Sequence, residues 1–232
     1  MDLMRNAWEG TEEQALDQLA GHSTREEFEA DRRGRAKEVL KWCSVRPKSR
    51  GFEIGSGEGT VARLLAGHCL SLDCNDISAS FLARARANCA QCANVSFHQI
   101  QSNYLDYLPA EAYDFGFSLN VFIHFNPYDV YNYLLSVNRI LKPGGVFYFD
   151  ACTVGEQTLP LFREQAAMYR NAPETIRGLL NYNSPHMLRT VVAEAGLKLS
   201  DRSLLSEQGW MKVLTIKRGG GWLTRRGVKE RP

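Results

Sequence analysis

The sequence 52-FEIGSGEGTVARLLA-66 decides both the fold and the position of the binding site. It begins with apolar residues, continues through three glycines at alternate positions, Gly55, Gly57 and Gly59, and ends in a run of helical composition. An apolar strand that passes through glycines into a helix predicts a βα turn. Because glycine lacks a Cβ atom, it adopts positive φ and lets a ligand approach the main chain. A turn that needs its glycines without binding anything is the alternative.

The spacing of the glycines distinguishes between ligands. A dinucleotide-binding turn has the pattern G-x-G-x-x-G/A, whereas this chain has G-x-G-x-G, with Thr60 in the place of the third small residue. Two acidic residues, Glu53 and Glu58, stand beside or within the turn. Their carboxylates would repel a phosphate group, so the turn suits a phosphate-free ligand that carries some positive charge.

A further acidic residue follows the second predicted strand, at residues 68–75. Asp76 comes directly after this strand, and Ser78 caps the helix that follows. A carboxylate accepts two hydrogen bonds side by side, so an acid at the tip of the strand suits the two hydroxyls of a ribose. Asp73 still lies inside the apolar alternation and is the weaker candidate. The alternative is that Asp76 only supports the start of the helix.

The remaining sequence alternates between strands and helices. Strands are also predicted at residues 51–54, 95–100, 113–120, 146–151, 198–202 and 211–217, and residues 113–120 have the long apolar run of a central parallel strand. Capped helix starts are predicted at Thr24, Ser78, Asn126 and Ser184. This alternation predicts an α/β fold with a parallel sheet.

The ordered series of motifs resembles the class I S-adenosylmethionine-dependent methyltransferases, whose first motif is an acidic residue, one further residue and G-x-G-x-G. The similarity extends from about Phe52 to about Cys152, and more loosely to Lys217, and it includes the turn sequence at residues 139–146. The resemblance implies a Rossmann-like, seven-stranded, mostly parallel sheet with helices on both faces and the last strand antiparallel. It also implies S-adenosylmethionine as the cofactor.

The resemblance assigns the cofactor site residue by residue. Ile77 would lie along one face of the adenine, and Leu119 and Asn120 would face the methionine portion. In the family, an Asp or Asn commonly accepts a hydrogen bond from the adenine amino group, and this chain has no Asp at the expected place. Counting from Asn94 gives Gln101 for this role, whereas counting back from Leu105 gives Asn103. The predicted cofactor-binding residues are Glu53, Gly55, Ser56, Gly57, Gly59, Asp76, Ile77, Ser102, Asn103, Leu119 and Asn120.

Methyl transfer makes modest chemical demands on the protein, because a sulfonium methyl group is already electrophilic. Good alignment of the reactants is worth ~7–11 kcal/mol, whereas a general base contributes a factor of roughly 10²–10⁴. His124 lies just beyond the fourth predicted strand and is the candidate catalytic base, since an imidazole with a pKa of about 6.5 accepts a proton at neutral pH. A packing residue that is hydrogen-bonded to the backbone is the alternative.

The predicted methyltransferase domain covers residues 46–217, and other segments flank or interrupt it. Residues 1–45 are predicted to form a helical extension or lid, residues 155–183 a helical insertion, and residues 218–232 a disordered basic tail. Arg32, Arg33 and Arg35 cluster in the extension. They form a solvated helix face, or one of them pairs with the cofactor's carboxylate.

Composition narrows the class of protein. The net charge of +2 is too small to indicate a nucleic-acid or membrane partner. No apolar run resembles a signal peptide or a membrane span, so a cytoplasmic protein is expected. The six cysteines are expected to be free, mostly buried thiols. No metal site is predicted, because Cys89 and Cys92 lack a second pair of ligands.

The sequence therefore predicts a methyltransferase that acts on an O or N atom of a small molecule, with sugars, lipids and secondary metabolites all open. A protein or RNA methyltransferase and a non-catalytic cofactor-binding scaffold are the alternatives. The sequence Asn126-Pro127-Tyr128 resembles a motif of enzymes that methylate base amino groups, but it comes too late after the fourth strand and is predicted to start a helix. The oligomeric state is open.

Overall fold

The structure, a computed structural model, describes residues 24–101, 104–171 and 178–219. Helix α1 (Arg25–Trp42) precedes the first strand, and strands and helices then alternate. The strands are β1 (Arg50–Ile54), β2 (Ser71–Asp76), β3 (Val95–Gln99), β4 (Tyr113–Ser118), β5 (Leu141–Cys152), β6 (Leu197–Leu199) and β7 (Trp210–Lys217). The other helices are α2 (Thr60–Leu65), α3 (Ala79–Asn88), α4 (Pro127–Ile140), α5 (Leu159–Asn171) and α6 (Pro185–Glu194), with short 3₁₀ helices at Ala66–His68 and Phe122–His124.

The strands form one sheet in the order β3-β2-β1-β4-β5-β7-β6. The first five strands in this order, β3, β2, β1, β4 and β5, pair in parallel with their neighbours. β7 is antiparallel to both β5 and β6. The strand order reverses at β1, between β2 and β4, so the carboxyl ends of these strands flank a crevice of the kind in which open α/β sheets bind ligands. The predicted fold class is confirmed.

Helices cover both faces of the sheet, because successive strand residues point to opposite sides. On one face, Phe52 and Phe147 are fully buried in a core that includes Leu188 of α6. On the other face, Phe117 is fully buried in a second core with Val39 of α1. Burying one such side chain contributes about 1.5–3 kcal/mol. The two cores therefore hold β1, β4 and β5 firmly at the place where the crevice opens.

Two glycines of the central strands make room for aromatic rings. A Cβ atom at Gly116 would lie 2.1 Å from Cζ of Phe52, and one at Gly51 would lie 2.2 Å from Cζ of Phe115. Both distances are far below van der Waals contact, so each ring packs directly on the backbone of a neighbouring strand. Larger residues would push β1 and β4 out of register.

The predicted helix starts are confirmed. The side-chain oxygens of Thr24, Ser78, Asn126 and Ser184 each accept a hydrogen bond from a backbone amide of the first helical turn, at 2.9–3.2 Å. Each cap satisfies an amide that has no partner inside the helix and is worth about 0.5–2 kcal/mol. The caps therefore fix where α1, α3, α4 and α6 leave the loops around the crevice.

Four strands differ from the sequence prediction by more than one residue at one end. β2 begins at Ser71 rather than at residue 68, because His68 ends a 3₁₀ helix. β4 ends at Ser118 rather than at residue 120, because Asn120 has a φ of +58°, which lies outside the strand region. β5 begins at Leu141 rather than at residue 146, because Leu141 already pairs with Tyr113 of β4. β6 is shorter than predicted, because the chain turns after Leu199.

All six cysteines are free and five of them are buried, as the sequence predicts. Within residues 24–101, 104–171 and 178–219, no helix is long and apolar enough to cross a membrane. The same residues contain no group of three side chains suited to hold a metal ion. Residues 1–23 of the predicted extension and residues 220–232 of the predicted tail lie outside the described residues.

Candidate active site

The glycine turn has the predicted backbone conformation. Gly55, Gly57 and Gly59 have φ values of +74°, +52° and +77°. A Cβ atom at Gly57 would meet nothing within 4 Å, and this glycine lines a large cavity in the crevice, so the backbone is open to a ligand there. Gly59 is placed differently, because a Cβ atom there would lie 3.0 Å from Cβ of Ala85 in α3. Gly59 allows two helices to approach and is not among the residues that line the cavity.

Asp76 lies at the carboxyl end of β2 and lines the same cavity. Its carboxylate accepts hydrogen bonds from the backbone amides of Gly57, at 2.8 Å, and Ser78, at 2.9 Å. Asp73 faces elsewhere, because its carboxylate pairs with His98 Nε2 at 3.0 Å and accepts from the Tyr113 hydroxyl at 2.8 Å. Of the two aspartates, only Asp76 is therefore placed both to support the turn and to face a ligand.

Asn75 also holds the glycine turn, and the sequence analysis did not identify it. The Asn75 side chain is fully buried, and its amide nitrogen donates to the backbone carbonyl of Glu53 at 2.9 Å. The backbone carbonyl of Asn75 accepts hydrogen bonds from the backbone amides of Gly55 and Ser56. The hydroxyl of Tyr107 donates to the Asn75 side-chain oxygen at 2.8 Å. The alternation of β2 places Asn75 on the same side as Ser71 and Asp73, so the local pattern gives no signal that it is buried.

Glu53 is a buried acid in the wall of the cavity, with only 3% of its surface exposed. Burial raises its pKa to about 8, because a carboxylate loses hydration inside the protein. The thiol of Cys74 lies 3.6 Å from Oε2 and favours the charged form only weakly. Glu53 therefore keeps its proton at neutral pH until a positive charge enters the cavity beside it.

A cluster of hydrogen-bonded polar residues lies beyond the end of β4. The backbone amide of Asn120 donates to both carboxylate oxygens of Asp150 at 2.9 Å, and Asp150 is another residue that the sequence analysis missed. With the Asn120 amide oriented to donate to Asp150, its oxygen accepts from Nη2 of Arg32 at 3.1 Å. Burial raises the pKa of Asp150. The signal for Asp150 is an acid at the end of an apolar strand.

The three clustered arginines of α1 differ in exposure. Arg32 lies inside the cavity wall, 8% exposed, with its guanidinium 4.8 Å from the centre of the Phe28 ring. Burial lowers the pKa of Arg32. Arg35 also lines the cavity, whereas Arg33 is exposed and pairs with Glu29 of its own helix at 3.8 Å. The prediction of a solvated face is therefore right for Arg33 and wrong for Arg32.

An ion pair ties α1 to the glycine turn. The guanidinium of Arg25 contacts both carboxylate oxygens of Glu58, at 2.7 Å and 2.9 Å, and the Thr60 hydroxyl donates to the same carboxylate at 2.8 Å. Glu58 is buried, and a two-pronged pair with arginine compensates its charge well. The pair holds the first turn of α1 across one side of the cavity.

His124 lies in the 3₁₀ helix after β4 and lines the cavity. Its Nδ1 lies 3.0 Å from the carbonyl oxygen of Leu179, and because a carbonyl only accepts, Nδ1 carries the proton and Nε2 the lone pair. Burial lowers the pKa of His124, so the ring is neutral at neutral pH. The Asn181 side chain donates to the His124 carbonyl at 2.6 Å and fixes this segment.

The cavity has a volume of about 1370 Å³ and brings most of the predicted site together. Ser56 contributes a buried hydroxyl that has no hydrogen-bond partner among the described residues, as expected where a polar ligand sits. Ser102 and Asn103 lie outside the described residues, and Gln101 is exposed. Of the predicted residues, the cavity is lined by Glu53, Gly55, Ser56, Gly57, Asp76, Ile77, Leu119, Asn120 and His124.

Comparison with known proteins identifies this arrangement. Residues 52–145 match a family described as a methyltransferase domain. Residues 52–145 therefore form a methyltransferase domain. Its cofactor is S-adenosylmethionine, and the lone hydroxyl of Ser56, the open backbone at Gly57 and the carboxylate of Asp76 fit that cofactor's polar nucleoside.

Solved structures share the fold of this methyltransferase. Magnesium protoporphyrin IX methyltransferase of Synechocystis PCC 6803, with bound SAH, has a TM-score of 0.68 at 12% identity, over 93% of this chain and 99% of that one. A chain of a Haloferax volcanii complex with the Trm112 methyltransferase activator has a TM-score of 0.65 at 18% identity, over 85% and 97%. The YcgJ protein of Bacillus subtilis has a TM-score of 0.62 at 18% identity, over 80% and 98%. Comparison with curated proteins gives no significant match.

The buried Glu53 gives the methyltransferase a distinct pH dependence of stability. Its pKa is about 8 in the folded protein and about 4.5 ordinarily, so the unfolded chain releases this proton first as the pH rises. The contribution of Glu53 to the free energy of unfolding therefore falls between pH 5 and pH 8, by up to about 1.4 kcal/mol per pH unit. Glu53→Gln does not titrate, so the variant should gain stability relative to the wild type over this range.

Urea denaturation at pH 5, 6, 7 and 8 without cofactor measures the difference. Glu207→Gln, at an exposed position away from the cavity, is the matched control. If the wild type and Glu53→Gln lose stability in parallel, Glu53 does not keep its proton in the folded protein.

Proposed function

We propose that the protein transfers the methyl group of S-adenosylmethionine to an O or N atom of a small molecule. The observation that carries the proposal is that one cavity of about 1370 Å³ is lined both by most of the predicted cofactor residues and by His124. A pocket for one drug-sized ligand has a volume of roughly 300–1,000 Å³. The cavity thus has space for the cofactor and a second small molecule beside His124.

We propose that the cofactor lies across the carboxyl ends of β2, β1 and β4. Asp76 would accept from the ribose hydroxyls, and Ile77 would lie against the adenine. Arg32 would pair with the carboxylate of the methionine portion, since its guanidinium is buried beside Asn120 and lines the cavity. Glu53 is the nearby acid that would respond to the positive sulfonium. Ser102 or Asn103 as the adenine contact stays a prediction.

The bound cofactor supplies an electrophilic methyl group. The chain holds the reactants in line, and alignment of this kind is worth ~7–11 kcal/mol. His124 is proposed to accept the proton from the reacting hydroxyl or ammonium at Nε2. The carbonyl of Leu179 then stabilises the imidazolium that forms, because it accepts from Nδ1 at 3.0 Å. The segment around Leu180, held by Gln165 of α5, lines this side of the cavity.

Labelled S-adenosylmethionine tests the proposed class of acceptor. The protein is incubated with the labelled cofactor and, separately, with the small-molecule, RNA and protein fractions of a cell extract. We expect the label in the small-molecule fraction. Label in RNA or protein instead would overturn the proposal in favour of a macromolecular acceptor. Binding of S-adenosylhomocysteine without transfer to any fraction would indicate a scaffold.

Asp76→Asn should weaken the binding of S-adenosylhomocysteine about ten- to a hundredfold, because a hydrogen bond to a charged group is worth about 1.5–3 kcal/mol. Asp73→Asn is the matched control, since Asp73 belongs to the same strand but pairs with His98 and does not line the cavity. Calorimetry on both folded variants gives the two affinities. Equal affinities would remove Asp76 from the cofactor site.

His124→Ala should lower kcat by a factor of roughly 10²–10⁴ and leave the affinity for S-adenosylhomocysteine unchanged, because the base acts on the acceptor. Burial lowers the pKa of His124 from its ordinary value of 6.5, so the acid limb of the kcat profile should lie below that pH. His186→Ala, at an exposed position on α6, is the control. Turnover equal to that of the wild type would show that His124 only packs.

A further inference from the structure

The cavity has two ends that different parts of the chain build. The cofactor residues come from the ends of β2, β1 and β4. Beyond His124 the cavity continues toward β5 and β7, on the other side of the point where the strand order reverses. Here its wall comes from α5, from the segment before α6 and from the start of β7. We call this part the apolar end, and its lining residues are Leu161, Leu180, Leu204, Trp210 and Met211.

Large apolar side chains at this end are left exposed by the described residues. Leu204 is 59% exposed and Trp210 is 47% exposed, and both line the cavity. Exposed apolar surface at the mouth of a pocket is a feature of ligand-binding grooves.

Helix α5 supports the same conclusion. None of its described side chains is buried, although its sequence carries large apolar residues on one side. Leu161 lines the cavity, and Met168, two turns further along the same face, is 47% exposed. Most of the stability of a helix in a protein comes from packing an apolar face. Leu161 packs against the small cluster of Ile123, Cys152 and Leu180, and a ligand in the apolar end would cover more of this face.

The polar side chains that line the cavity next to Leu204 and Leu180 are engaged within the chain. Lys212 and Glu38, which line the cavity next to Leu204, form an ion pair with each other. The Gln165 side chain accepts from the Leu180 amide at 3.0 Å and donates to the Gly178 carbonyl at 3.4 Å. Among the described residues, this end therefore offers a ligand mainly apolar contact.

We infer that the methyl acceptor has an apolar body, such as an aromatic or aliphatic ring system, and a single O or N group that reaches His124. This inference rests on the proposed function and selects among the acceptor classes that the sequence leaves open. A sugar would bury several hydroxyls without partners in the apolar end, and each unsatisfied hydroxyl costs binding free energy. The apolar body fits beside Leu161 and Trp210 without that cost.

The neutral apolar dye N-phenyl-1-naphthylamine tests the apolar end directly. Its fluorescence is titrated against the full-length protein in the presence of saturating S-adenosylhomocysteine. We expect saturable binding that Leu161→Asn weakens about tenfold or more, since a pocket discriminates an apolar group by roughly 10–200-fold. Leu70→Asn is the matched control, because Leu70 is 56% exposed and does not line the cavity. Absence of dye binding, or equal effects of the two substitutions, would overturn the inference.

Methyl transfer then separates this inference from the proposed function. The labelled small-molecule products are partitioned between ethyl acetate and water. Label that enters the organic phase, with KM for that acceptor raised about tenfold in Leu161→Asn and the affinity for S-adenosylhomocysteine unchanged, supports both statements. Label confined to the aqueous phase overturns the apolar acceptor and leaves the proposed function intact. Transfer to no small molecule overturns the proposed function and with it the acceptor; dye binding that is still sensitive to Leu161→Asn would then show only that the apolar end binds an apolar ligand.

Discussion

The active site depends on the hydrogen bonds that join the end of β2 to the glycine turn after β1. The turn has three residues at positive φ, so its shape must be held by contacts with neighbouring elements. Asn75 holds the turn through its backbone carbonyl and its buried amide, and Asp76 holds it through the amide of Gly57. Because these groups are buried and satisfied, any displacement of the turn would break several hydrogen bonds together.

The cavity wall contains buried acids and a buried base, which suits a cofactor that carries both positive and negative charges. Glu53 and Asp150 are buried acids with raised pKa values, and Arg32 is a buried base with a lowered pKa. Keeping any of these three groups charged without a ligand costs free energy, because burial disfavours each charged form. S-adenosylmethionine carries a positive sulfonium, a carboxylate and an ammonium, so a protein that keeps both signs of charge beside Asn120 is prepared to compensate them.

The sequence predicts the fold and most of the cofactor end, because both depend on local patterns. The glycine spacing fixes the turn, the acid at the tip of β2 is read from strand periodicity, and the caps mark the helix starts. Asn75 and the burial of Arg32 escape prediction, since each depends on contacts with a distant segment. Gly59 is predictable only in part. Its positive φ follows from the glycine pattern, but its close approach to Ala85 of α3 depends on tertiary packing.

The apolar end could not be predicted at all, and its construction explains why. It combines α5, the residues before α6 and the first residues of β7, which lie far apart in the sequence and share no motif. The cofactor end is built by β1, β2 and β4, which the two sheet cores hold in place. Substitutions at Leu161 or Trp210 therefore alter one end without loosening the other. A fold arranged in this way keeps one cofactor and changes its acceptor through residues that carry little of its stability.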